Sequence, residues 1–185
     1  MRIPGRDEIA TSRLVLSGLR PADAAEMTAV LADERLYEFI GGAPPGLAEL
    51  RDRYLRLAAG SGRPGEIWLN WIVRLRDTRQ PVGTVQATIH AAVEAAVPGG
   101  VALAGVPLAG AAWVAWVIGA SWQGRGYATE AATALVNWLR GQGATAINAA
   151  IHRANLASAG VARRAGLVPT SAEVDDEQVW SLPGG

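Results

Sequence analysis

The stretch SWQGRGYATEA, residues 121–131, lies between an apolar segment and an alanine-rich one. The apolar segment AAWVAWVI, residues 111–118, has the length and the β-branched and aromatic content of a buried strand. Residues 127–140 carry apolar side chains at helical spacing and are followed by a glycine. The glycine-rich stretch is therefore predicted to connect a central strand to a helix.

This junction has the features of an anion site. Gly124 and Gly126 let the backbone approach a ligand, and the first turn of a helix presents free N–H groups to an anion. Arg125 adds a cation between the two glycines. A plain strand-to-helix turn is the structural alternative, since glycine is frequent in turns.

Two other phosphate motifs are excluded. A P-loop needs a lysine, and the chain contains none. A dinucleotide-binding fingerprint needs glycine or alanine where Thr129 stands, and an acidic residue about 20 positions on. No Asp or Glu occurs between Ala131 and Ala172, where the charged residues are Arg140, Arg153, Arg163 and Arg164. This local excess of arginine favours a polyanionic ligand, with chance placement of surface arginines as the alternative.

Composition narrows the function further. A chain of 185 residues, half of them apolar, predicts one folded domain spanning residues 1–185. Its net charge of zero gives no indication of nucleic acid or of an anionic membrane as partner. There is no cysteine, and two histidines are too few for a typical zinc site, so no metal is expected.

The chain is expected to be cytoplasmic. Its first residues contain no apolar core of signal-peptide length. The uncharged segment 95–123 is interrupted by Pro98 and Pro107, which argues against a membrane span.

Hydrophobic periodicity and Gly/Pro punctuation predict an α/β (α+β) fold whose mixed sheet has helices on both faces. Strands are predicted at residues 13–19, 67–75, 81–90, 111–118, 145–151, 167–174 and 177–182, and helices at 21–33, 47–60, 127–140 and 155–166. Residues 91–110, rich in Gly, Ala and Pro, are predicted to be an insertion such as a hairpin extension or a flap.

The motif Q-x-x-G-x-A at residues 123–128 resembles the acetyl-CoA signature of the GNAT superfamily of N-acetyltransferases. The resemblance is strongest to the branch that includes the ribosomal-protein-alanine N-acetyltransferases. Residues 155–167 resemble the second motif of that branch, and residues 11–27 resemble its opening strand and helix. The resemblance implies a single GNAT-like domain with a mostly antiparallel sheet of about six to seven strands, splayed at the cofactor cleft.

The resemblance also implies acetyl-CoA as the cofactor. Backbone N–H groups of the motif would hold its pyrophosphate, and the preceding strand would hold its pantetheine arm. The cofactor-binding residues it implies are Trp116, Val117, Ile118, Gln123, Gly124, Arg125, Gly126, Tyr127, Ala128, Thr129, Asn155 and Ser158.

The implied reaction is direct attack of a primary amine on the thioester, for which the amine must first lose a proton. Ala162 stands where many family members have a general-acid tyrosine, so no such acid is carried over. The catalytic candidates are Ser158 near the thiol, Asn155 as an orienting residue and His152 as the titratable group. A helix cap and a packing residue are the structural alternatives for Asn155 and Ser158.

Glu38, His90 and Glu94 are weaker candidates for the base, and a water-relayed proton or the absence of a dedicated base is left open. The expected substrate-binding residues lie in the loop after the first helix and in the β-hairpin: Tyr37, Phe39, Trp68, Asn70 and Trp71. Core packing is the alternative for both tryptophans. The expected partner is an amine-bearing small molecule or a peptide N-terminus, and a homodimer is left open.

Two other functions can be compared with acetyl transfer. Residues 160–170 resemble the start of a helix-turn-helix, but Pro169 and acidic residues follow where a basic recognition helix is needed. A non-catalytic protein of the GNAT fold, acting through CoA or a protein partner, remains the alternative to an enzyme.

Overall fold

The computed structural model describes residues 8–91 and 110–183, in which eight strands form one sheet. The strands are β1 (Ile9–Ala10), β2 (Leu14–Gly18), β3 (Glu66–Leu75), β4 (Pro81–Ala91), β5 (Gly110–Ile118), β6 (Ala146–Ile151), β7 (Val168–Val174) and β8 (Glu177–Ser181). The helices are α1 (Ala24–Val30), α2 (Leu47–Ala59), α3 (Tyr127–Gly141) and α4 (Leu156–Arg164). The order in the sheet is β1-β2-β3-β4-β5-β6-β8-β7, and only the β5–β6 pair is parallel. The predicted mixed, mostly antiparallel sheet is confirmed.

Two details differ from the prediction. Strand β1 has only two residues, too few to show an alternation in the sequence. The helix predicted over 21–33 ends at Val30, and a separate 3₁₀ turn follows at Glu34–Tyr37. The Asp33 side chain accepts a hydrogen bond from the backbone N–H of Arg35, which starts this new turn. Residues 92–109, with Glu94 and most of the predicted insertion, lie outside the described residues.

Helices cover both faces of the sheet, as predicted. Alternation along β3 sends Leu69, Trp71 and Val73 into the core beneath α3, and Ile72 into the core beneath α1 and α2. Strand β7 follows α4 directly, so the second helix of a helix-turn-helix is absent there.

The sheet splits between β5 and β6. Strand β5 pairs with β4 along its whole length, but with β6 only over Ala111–Trp113. From Asn148 onward β6 pairs with β8 on its other side. Among the described residues, the second half of β5 therefore has no strand beside it on the β6 side, and a cleft opens there. The predicted splay is confirmed.

A buried ion group fixes the start of α1 against β3. Arg74 is 7% exposed, and its Nη2 donates to Asp23 Oδ1 at 2.9 Å while its Nη1 donates to Glu26 Oε2 at 3.0 Å. Asp23 is 3% exposed and also accepts from the backbone N–H of Arg20 at 2.7 Å. Each buried charge thus has a partner, which is the condition for a buried ion pair to be tolerated.

Candidate functional site

A cleft of about 850 Å³ occupies the space where β5 and β6 diverge. Its walls are the end of β5, the first turn of α3, one side of α4 and the segment 35–40. This volume lies within the range of about 300–1,000 Å³ that is usual for ligand sites.

One end of the cleft is shaped to receive an anion. Gly124 and Gly126 have φ of +73° and +79°, in the left-handed region that favours glycine. Helix α3 begins directly after them, and no side chain of the described residues caps its start. The first N–H groups of a helix have no partner within it, so those of α3 are free for a ligand. A Cβ placed on Gly124 would meet no atom within 4 Å, so the turn borders open space.

A cluster of hydrogen bonds holds this turn in place from the beginning of the chain. Glu130 Oε1 accepts from Thr11 Oγ1 at 2.6 Å and from Ser12 Oγ at 3.0 Å. Arg13 donates to the same carboxylate twice, from its backbone N–H at 2.9 Å and from Nε at 2.7 Å. Burial disfavours the charged carboxylate, but the hydrogen bonds from Thr11, Arg13 and Ser12 outweigh it and lower the pKa of Glu130.

Arg13 is a residue of the cleft that is not among the sequence-predicted site residues. Its guanidinium lines the cleft, lies 4.9 Å from the centroid of the Tyr127 ring and donates from Nη1 to the carbonyl of Arg125 at 3.0 Å. Arg164, from α4, also lines the cleft. The Arg125 side chain is exposed and is not among the lining residues, so Arg13 takes the position expected of Arg125. No local signal pointed to Arg13, because it stands more than a hundred residues before the motif.

The other predicted cofactor residues meet in the cleft. Gln123 Nε2 donates to the carbonyl of Ile118 at 2.9 Å and so ties the end of β5 to the glycine turn. The predicted residues that line the cleft are Trp116, Val117, Ile118, Gln123, Gly124, Gly126, Tyr127, Ala128, Thr129, Asn155 and Ser158.

Asn155 caps helix α4. Its Oδ1 accepts from the backbone N–H of Ser158 at 3.0 Å, which is the geometry of a capping residue. Both residues also line the cleft, so the cap does not remove them from the site. Ala162, which stands where many family members have a general-acid tyrosine, is fully buried in the core.

The candidates for the general base lie in different parts of the structure. His152 is exposed and does not line the cleft; its Nδ1 accepts from the N–H of Ala154 at 3.2 Å, and its ring lies 5.4 Å from that of Phe39. His90 pairs with Ala111, at the opposite end of β5 from the cleft. Glu38 lines the cleft. Glu38 thus lines the same cleft as Asn155 and Ser158, whereas His152 meets the cleft only through the ring of Phe39.

A second cavity, of about 250 Å³, lies between α2 and strands β3–β5. Ile40, Trp116 and Val117 line both the cavity and the cleft, so the two are adjacent. We call it the acceptor-side cavity.

The predicted substrate residues are divided between these spaces. Tyr37, Asn70 and Trp71 line the acceptor-side cavity, and Phe39 lines the cleft. Trp68 is not among the lining residues of either. Trp71 is fully buried and packs edge-on against Trp138 with ring centroids 5.3 Å apart, so its ring belongs to the core beneath α3.

Two further structural properties concern the described part of the chain. None of its helices is long and apolar enough to cross a bilayer. Nor do three or more Asp, Glu or His side chains come together there in a way that would hold a metal ion.

Solved structures with the same fold include three acetyltransferases. An acetyltransferase from Agrobacterium tumefaciens is 24% identical with a TM-score of 0.67, over 98% of this chain and 95% of that one. The aminoglycoside acetyltransferase AAC(6')-Ib, in complex with ribostamycin and coenzyme A, is 21% identical with a TM-score of 0.69, over 92% and 93%. A Vibrio cholerae protein provisionally named a ribosomal-protein-serine acetyltransferase is 19% identical with a TM-score of 0.62, over 96% and 98%. At these identities the likeness shows the fold alone.

Comparison with curated protein sequences gives no significant match. The sequence profile of the acetyltransferase (GNAT) domain, by contrast, matches residues 13–168, a span that includes the glycine turn, the capped helix α4 and Arg13. Since that span covers most of the chain and contains the whole cleft lining, the protein belongs to the GNAT family of acetyltransferases.

Proposed function

We propose that the chain transfers an acetyl group from acetyl-CoA to the primary amine of a small molecule or a peptide N-terminus. The observation that carries this proposal is the cleft itself, which joins an uncapped helix start to the half of β5 that β6 no longer pairs with. Membership of the GNAT family and the CoA-bound state of AAC(6')-Ib support it.

The residues of the cleft fit a long ligand with phosphates at one end. The N–H groups at the start of α3 and the guanidinium groups of Arg13 and Arg164 would hold the phosphates. Backbone groups of β5 beyond Trp113 lack a strand partner on the β6 side. They would bond the amides of the pantetheine arm, because backbone polar groups in a folded protein need partners.

Acetyl-CoA, when bound, supplies the thioester that the amine attacks. We propose Glu38 as the group that takes the proton from the amine, because it is the carboxylate of the cleft that is not committed elsewhere; Glu130 is held by Thr11, Ser12 and Arg13. Ser158 is proposed as the hydroxyl donor near the thiol, with Asn155 holding the start of α4 in place.

The test is calorimetric titration of the purified protein with acetyl-CoA, together with Gly124→Asp and its isosteric control Gly124→Asn. Any side chain is strained at the positive φ of this position, but Asn and Asp are among those that adopt it most often, so the pair differs mainly in charge. We expect micromolar binding by the wild type, about −8 kcal/mol, and at least about tenfold weaker binding by the Asp variant than by the Asn variant.

Absence of binding by the wild type, or equal affinity of the two variants, would contradict the proposed site. Thiol release from acetyl-CoA in the presence of amines then separates an enzyme from the non-catalytic alternative. Binding without release of thiol by any amine would favour the non-catalytic alternative. That alternative is kept because the buried Ala162 stands where many family members have a general-acid tyrosine.

A further inference from the structure

The acceptor-side cavity contains a polar group without a partner. Tyr54, on α2, is 2% exposed and lines the cavity, and its hydroxyl has no hydrogen-bond partner among the described residues. Buried polar side-chain atoms are nearly always paired in folded proteins. The Tyr54 hydroxyl is covered by its neighbours in the free protein, so a ligand atom in the cavity would pair with it once those neighbours shift.

The Tyr54 hydroxyl is available as a donor. Burial is the main cause that raises its pKa well above the ordinary value, and the nearby charge of Asp23 adds to the effect. The hydroxyl therefore stays protonated at neutral pH. Tyr37, also in the cavity wall, is already paired, because its hydroxyl donates to the carbonyl of Leu31 at 3.0 Å.

Arg53 precedes Tyr54 on the same helix and is the one formally charged residue among the described residues that line the cavity. Its Nη2 donates to Glu49 Oε1 at 3.3 Å in an exposed pair, which leaves other N–H donors of the guanidinium free. The charge of Arg53 acts on both Tyr54 and Tyr37, so the three groups are electrostatic neighbours. Leucine and valine residues make up much of the remaining wall, together with the polar residues Asn70, Thr84 and Gln86.

We propose that this cavity binds a small amine with an apolar body and a single carboxylate, which accepts hydrogen bonds from Arg53 and Tyr54. The amine would then lie toward Trp116 and Val117, where the cavity meets the cleft. This inference rests on the proposed function. Transfer forms the amide N–C bond and breaks the thioester C–S bond; the amine loses one proton, and the departing thiolate takes one up.

A polycationic acceptor such as an aminoglycoside does not fit this cavity. No carboxylate is found among its described lining residues, and Arg53 repels additional ammonium groups. Its volume of about 250 Å³ also falls below the usual range for ligands of drug size, about 300–1,000 Å³.

The experiment measures thiol release from acetyl-CoA by the full chain with leucine, glycyl-leucine and 6-aminohexanoate, each beside its carboxamide, and with kanamycin. The three acids place the carboxylate at different distances from the amine. We expect kcat/KM for at least one acid to exceed that of its own amide about 10- to 100-fold, the size of a hydrogen bond to a charged group. Kanamycin is expected to react more slowly than that acid.

Variants connect the preference to the two residues. Arg53→Gln and Tyr54→Phe should each bring the acid-to-amide ratio toward one, mainly by lowering kcat/KM for the acid. Arg51→Gln is the matched control, since it removes an exposed arginine from the same helix outside the cavity. Equal use of acids and amides, a preference for kanamycin, or an unchanged ratio in both variants would overturn the inference.

A measurement without acetyl-CoA separates the two proposals. Binding of each of the three acids is followed by NMR saturation transfer to the wild type and to Tyr54→Phe. If no amine releases thiol yet an acid binds the wild type and not the variant, the proposed function fails and the cavity assignment stands. If only amides or polycations are acetylated, the function stands and the cavity assignment fails. If no acid binds and no amine of any kind releases thiol, both fail.

Discussion

The anion end of the cleft and the acceptor-side cavity are built in different ways. The first consists of the glycine turn and the start of α3 with two arginines from far away in the chain, Arg13 and Arg164, and its donors include the backbone N–H groups of the helix start. The second is assembled from α2, β3, β4, β5 and the segment 37–40, and its donors are side chains. A site made of backbone constrains which residues can form it, whereas one made of side chains can change its ligand through single substitutions. Specificity for the amine is therefore expected to reside in the cavity.

The largest effect on stability is expected at the buried ion group that holds the start of α1 against β3. Arg74→Met removes the nearest guanidinium from the buried Asp23 carboxylate and leaves it the largely exposed Arg20, whose Nη2 lies 3.6 Å away. Breaking a buried ion pair costs about 3 to 5 kcal/mol of unfolding free energy, measured by urea denaturation. Arg56→Met, at an exposed position of α2, is the control and should change stability by less than about 0.5 kcal/mol. Similar losses in both proteins would show that the ion group does not anchor α1.

An intermediate effect is expected at the anion end. Glu130→Gln replaces the carboxylate that Thr11, Ser12 and Arg13 contact, and should cost about 1 to 2 kcal/mol at pH 7. Because folding lowers the pKa of Glu130, its charge stabilises the protein above the unfolded-state pKa of about 4.3, and this contribution is lost as the pH falls through the folded-state pKa.

Urea denaturation at several pH values checks this prediction. The difference in unfolding free energy between wild type and Glu130→Gln should be constant above about pH 5 and should shrink at lower pH. A difference that stays constant down to pH 3 would contradict the role assigned to the charge.

The smallest effect concerns helix α4, which borders the cleft. Asn155→Ala removes the acceptor for the N–H of Ser158 and should cost about 1 kcal/mol, while Asn155→Ser should keep most of the cap. If the Ala variant loses both stability and acetyl-transfer rate and the Ser variant keeps both, Asn155 acts by positioning α4. Loss of rate in both variants, with stability kept in the Ser variant, would instead indicate direct contact with a ligand.

The same contrast explains what could be predicted from the sequence. The glycine turn is predictable because its function depends on consecutive residues, and β5 because an apolar run of that length is typical of a central strand. Arg13 and Tyr54 were missed, since nothing near either residue distinguishes it from other arginines and tyrosines. Only the β1–β2 connection and the packing of α2 on the sheet bring them to the two sites.

The histidine interpretation illustrates a further limit. His152 follows β6 and stands three residues before Asn155, which made it the titratable group nearest to the expected site along the chain. In the structure it lies outside the cleft with Nδ1 already accepting a hydrogen bond, whereas Glu38, more than a hundred residues earlier, lines the cleft. Nearness in sequence to a motif does not specify on which side of a strand end a side chain lies.

The contacts of Glu130 also bear on how the molecule assembles. Its partners Thr11, Ser12 and Arg13 stand 119, 118 and 117 residues away, so these bonds close one of the longest loops in the chain. Helix α3 can nucleate from local contacts, but its first turn gains these partners only after the intervening strands and helices have come together, because distant contacts form late. The anion end, although the most local part of the site in sequence, is therefore among the last parts to be completed when the chain folds.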